Sequence, residues 1–66
     1  MNVQTRVAEY VRRIGIKQAE ISRKTGISQK RVSGIMNCSL KMSADEYEKI
    51  CKAIEKEPND FMEVSV

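Results

Sequence analysis

One glycine constrains the fold more than any other residue. Gly26 stands between two short stretches of helical period, 18–24 and 29–36, with almost nothing else to connect them. A glycine can take the left-handed backbone conformation that a sharp reversal needs. The stretch after it keeps Val32, Ile35 and Met36 on one side and Ser28, Gln29, Lys30 and Ser33 on the other. The chain must therefore pack two short helices steeply against each other and leave the second with a polar outer face.

The rest of the chain repeats the helical period. A helix over 2–13 is read from Val3, Val7, Val11 and Ile14, which recur at i+4 and i+3 as one apolar stripe with Tyr10 beside them. Asn2 is its expected N-cap and Gly15 its stop. The helix over 18–24 buries Ile21, and Ile16 stands at the spacing of a hydrophobic staple to it; Lys17 is a poor cap. Ser28 caps the helix over 29–36, where Ile27 and Val32 repeat the staple. Ser43 and Glu46 have the spacing of a capping box, flanked by a staple from Met42 to Tyr47. Tyr47, Ile50, Cys51 and Ile54 form the apolar stripe of the helix that follows. Pro58, a favoured first-turn residue, predicts a short fifth helix with Phe61, Met62 and Val64 on its apolar side. The expectation is one compact all-α domain of five helices over 1–66.

Sixty-six residues leave a marginal core and little room for a deep substrate pocket. The longest apolar run is two residues, which excludes a membrane-spanning helix, and the first residues lack the apolar core of a signal peptide. A cytoplasmic protein is expected. The chain has no histidine and only two cysteines, Cys38 and Cys51, so neither a metal site nor a cofactor is expected, and the thiols read as reduced. No nucleophile–base pair is evident, so an enzyme is not expected, nor is a small-molecule ligand. Charge is segregated. Residues 1–41 carry nine Lys/Arg against two acids, whereas residues 42–66 carry three Lys against seven acids. A one-sided positive field suits a polyanion.

Two helices crossing at a tight glycine turn expose the second as a ridge that fits the DNA major groove. On its outer face, Gln29 can pair with adenine and Lys30 with guanine. Ser28 and Ser33 can reach base edges at short range, and Gly34 and Asn37 continue the face. Gly34 costs about 1 kcal/mol in a helix relative to alanine. Either it permits close approach to DNA or it is simply tolerated.

These residues resemble the Cro/phage-repressor (XRE-type) helix-turn-helix family, the lambda-repressor-like fold, over essentially the whole chain. The resemblance rests on Gln18, Ser22, Gly26, Val32 and Ile35, on Tyr47, Ile50, Cys51 and Ile54, and on the ending from Pro58 to Phe61. It implies a transcriptional regulator, a repressor that binds a palindromic operator in double-stranded DNA as a homodimer. By the same resemblance, Gln18 at the start of the second helix and Asn37 at the end of the third contact phosphates, with Lys41 in the following loop. Lys17 and Arg31 are expected to add phosphate contacts. Phe61, Met62 and Val64 fit either a dimer interface or closure of the core. Some relatives in this fold are antitoxin-like or bind other regulators, so a protein-interaction module is the alternative.

Three departures from the family pattern carry expectations. Met36 replaces the usual Glu and faces Val11, so an apolar contact is expected in place of an ion pair. Cys38 replaces the usual Gly, so either Cys38 or Asn37 must take the positive φ. Ser22 replaces the usual Ala, and its hydroxyl is expected to bond back to a carbonyl.

Overall fold

A computed structural model describes residues 2–62. They form four α-helices: α1 (Val3–Ile14), α2 (Gln18–Thr25), α3 (Gln29–Met36) and α4 (Ala44–Ala53). Among the described residues there is no strand. α3 packs on both α1 and α2, and α4 packs on α2.

Each boundary has a local cause. The Asn2 side chain accepts from the Thr5 amide at 2.8 Å, and Gly15 ends α1 at φ 76°. Lys17 makes no side-chain cap, and the amides of Glu20 and Ile21 both bond to its carbonyl. Gly26 closes α2 at φ 81°. The turn after it is stitched by side chains. Thr25 Oγ1 donates to the Ile21 carbonyl at 2.7 Å and accepts from the Ile27 amide at 3.1 Å. The Ser22 hydroxyl donates forward across the turn to the Ile27 carbonyl, not back into its own helix. At α4, Ser43 and Glu46 form the full capping box.

The fifth helix is replaced by a single 3-10 turn, Pro58–Asp60. The Asp60 carboxylate reaches back to the Glu57 amide at 2.9 Å, and the amides of Asp60, Phe61 and Met62 each bond three residues back. That tight turn swings Phe61 into the core at 6% exposure. There it meets Tyr10 edge-on at 5.5 Å and Tyr47 at 6.5 Å between ring centroids. Val64 lies outside the described residues.

The core is Val7, Val11, Ile21, Val32, Ile35, Met36, Ile50, Cys51, Ile54 and Phe61, with Ile16, Ile27, Met42 and Tyr47 packed at its edge. Ile14 leaves the predicted stripe and is 45% exposed. The chain reverses at Gly15, directly after Ile14, and Ile16 takes the inward place. The Tyr47 hydroxyl donates to the Pro58 carbonyl, tying α4 to the last turn. Burial pushes that phenol up to about 12.

Candidate nucleic-acid interface

α3 is anchored from behind and open in front. Val32, Ile35 and Met36 are buried, while Ser28, Gln29 and Lys30 in and before its first turn are exposed. Ser33, one turn further, is half-buried. The Ser28 hydroxyl accepts from the Arg31 amide at 3.2 Å, so its oxygen serves as the cap as well as facing outward.

Gly34 does not continue the open face. It is buried, and a Cβ built on it would stand 2.5 Å from Leu40 Cδ1. Its cause is therefore the close approach of the loop after α3. That loop is folded back by the end of the helix. Cys38 takes φ 65°, whereas Asn37 stays at −97°. The Cys38 amide bonds to the Ile35 carbonyl and the Ser39 amide to the Gly34 carbonyl, the two bonds of a Schellman ending. Cys38 thus stands where glycine is at no disadvantage, and a left-handed L-residue costs roughly 1–2 kcal/mol. Cys38→Gly should raise stability by about 1 kcal/mol in urea melts; a lower midpoint would show that the thiol's contact with the Thr5 hydroxyl matters more.

The expected phosphate contacts divide into two groups. Lys17, Gln18 and Asn37 come together with Arg12 around one shallow cleft of about 270 Å³, lined on its apolar side by Ala8, Val11 and Met36. Met36 and Val11 share the core there, the apolar replacement the sequence predicts. Asn37 is exposed, and its Oδ1 accepts from the Ser39 amide at 3.0 Å. Lys41 stands apart on the loop, exposed.

Arg31, expected to add a phosphate contact, is paired within the chain. Its guanidinium grips Glu46 through two nitrogens, with Nη2 at 2.9 Å from Oε1, and Nη2 also donates to the Lys41 carbonyl at 3.1 Å. It joins α3 to the start of α4 at the partly exposed edge of the domain. The same Glu46 carboxylate accepts from the Ser43 amide at 2.9 Å. Arg31 first, and then the Ser43 backbone, hold that carboxyl down at about 2 instead of 4.5. A depressed folded value means stability that is present above pH 4.5 and lost as pH falls toward about 2. Glu46→Gln should melt below the wild type at neutral pH, with the gap closing as the pH falls through that window. A gap constant with pH would show that the charge contributes nothing.

Gln4 belongs to the same region and carries no sequence signal. On the first turn of α1, it donates to the Ile35 carbonyl at 2.9 Å and the Leu40 carbonyl at 2.7 Å, and accepts from the Met42 amide at 3.1 Å. A polar residue at an edge position of α1 looks like any solvated glutamine until the loop is placed against it.

Among the described residues no group of His, Cys, Asp or Glu could hold a metal ion, and no helix is long and apolar enough to cross a membrane. No curated protein and no solved structure gives a significant match. The family model of the Cro/C1-type HTH DNA-binding domain matches residues 6–65, nearly the whole chain. With a glycine-turned pair of short helices and the outer face of the second left open, the chain belongs to the Cro/C1-type helix-turn-helix DNA-binding family.

Proposed function

We propose that this domain is a sequence-specific transcriptional regulator, a repressor acting in the cytoplasm that binds a palindromic operator as a homodimer. The observation that carries the reading is the exposed start of α3. Ser28, Gln29 and Lys30 project there, while the opposite side of α3 is locked into the core. In this reading Gln29 and Lys30 read base edges in the major groove, with Ser28 and Ser33 in support. Gln18, Lys17 and Asn37 hold a phosphate at the start of α2, where free amides and the helix dipole favour an anion. Lys41 holds a second phosphate. Arg31 supports the loop instead of touching DNA. The domain acts by binding and not by catalysis.

The dimer surface is narrower than the sequence suggests. Phe61 is buried, so Met62, which is 52% exposed, is the described apolar side chain left to meet a second copy at the end of the chain.

One observation favours the alternative of a protein-interaction module. An apolar groove of about 660 Å³ runs past Val3, Leu40, Met42, Tyr47 and Met62. If the groove were the active surface, alanine at Gln29 and Lys30 would leave partner binding unchanged.

Selection from random duplexes at two salt concentrations tests the reading. The expected result is one enriched palindrome with half-sites about one helical turn apart, and affinity that falls steeply with salt. Recovery of no sequence preference would overturn the assignment of α3 as a reading helix.

A further inference from the structure

The loop between α3 and α4 is tethered by three side-chain hydrogen bonds at the two peptide groups that flank Lys41. Gln4 Nε2 holds the Leu40 carbonyl, Arg31 Nη2 holds the Lys41 carbonyl, and Gln4 Oε1 holds the Met42 amide. The second Nε2 hydrogen of Gln4 is spent on Ile35, inside α3 itself. One carboxamide therefore uses both donors and its acceptor on backbone, linking α1, the last turn of α3 and the loop. Lys41 stands between the two loop residues that Gln4 grips. With the backbone on both sides fixed, the Lys41 side chain leaves the loop in one direction, exposed to solvent.

We propose that Gln4 is a positioning residue for nucleic-acid binding: by clamping the peptide groups on either side of Lys41, it sets where that ammonium meets a DNA phosphate. The inference rests on the DNA-binding reading above. It gives the first turn of α1 a part in binding through the loop it holds. A lysine on an unclamped loop samples many positions, and the loop loses backbone entropy each time that lysine meets a phosphate. On a fixed backbone, part of that ordering is already done. The distinction is measurable because each phosphate neutralised releases counterions and adds about 0.9 to the slope of log affinity against log salt.

The test compares wild type, Gln4→Met, Lys41→Gln, the double variant, and Val7→Ala as a core-destabilised control, each titrated with a mixed-sequence DNA duplex across a salt series. Gln4→Met should lower the slope by about 0.9, as Lys41→Gln does, and the double variant should lower it no further. Over about a fourfold rise in salt, the wild type should then lose roughly threefold more affinity than Gln4→Met. Val7→Ala should keep the wild-type slope. If Gln4→Met also keeps that slope while the wild type binds, the positioning role is overturned and the DNA reading stands. If the wild type shows no salt-dependent binding to any duplex, both fall together. Hydrogen exchange on the free protein adds a readout independent of DNA. The Met42 amide should exchange at least about tenfold faster in Gln4→Met, and an unchanged rate would overturn the clamp itself.

Discussion

Phe61→Lys should unfold the domain. Phe61 is 6% exposed, sits edge-on to two tyrosine rings, and lends its carbonyl to Arg6 at 3.0 Å. Deleting a buried phenylalanine costs about 3–5 kcal/mol. The lysine must then either bury an ammonium, which costs more, or drag the last turn out of the core. Small domains are held by roughly 5–15 kcal/mol, and one of 66 residues lies near the lower end. The expected result is loss of the cooperative thermal transition seen by circular dichroism, with DNA binding lost as a consequence. Met62→Lys is the informative partner. Met62 is 52% exposed, so that variant should melt with the wild type, and any change in assembly state on DNA would then report on a surface. If Phe61→Lys instead melted normally and only failed to dimerise, the ring would belong to an interface and its place in the core would be wrong.

That contrast shows where sequence reading stops. The helices were legible because their signals are local. Asn2, Ser28 and Ser43 accept from amides three residues on, the glycines at 15 and 26 donate their own amides to carbonyls four residues back, and each does what its spacing predicts. Whether Phe61 faced a partner or the core was not local. It depended on a 3-10 turn that brings the ring to Tyr10, far away in sequence on α1. The same limit explains Gly34. An open helix face and a buried contact with Leu40 give the same local pattern, and only the folded-back loop distinguishes them. Arg31 read as one more cation in a basic stretch. Its partner Glu46 lies fifteen residues on, in a capping box that by itself accounts for that glutamate. At the loop itself, the sequence required one positive φ and left two residues to carry it. The Schellman bonds place it at Cys38, because that residue occupies the position immediately after the cap.

The outer face of α3 is the part of the site for which local reasoning and the fold agree most directly, and it supports the second large effect. Gln29→Ala should weaken binding to the selected operator by about 1–3 kcal/mol, roughly 5-fold to more than 100-fold, and leave affinity for unrelated duplexes nearly unchanged. The reason is geometric. Gln29 is exposed at the first position of α3, with its backbone fixed by the Ser28 cap and by the burial of Val32 behind it. Truncating it should remove the proposed base contacts without loosening the helix. Lys30→Ala should behave similarly at a neighbouring base pair. Gln18→Ala is the contrast. Its side chain lines the cleft at the start of α2, apart from the outer face of α3, and under the proposed reading it meets a phosphate, so its loss should lower affinity for operator and random duplex by the same factor. Binding isotherms for each variant on the operator, on single-base substitutions of it and on a random duplex separate the two classes. Equal losses on every duplex for all three variants would mean that α3 only grips the backbone, and that whatever specificity the domain has comes from the shape of the DNA.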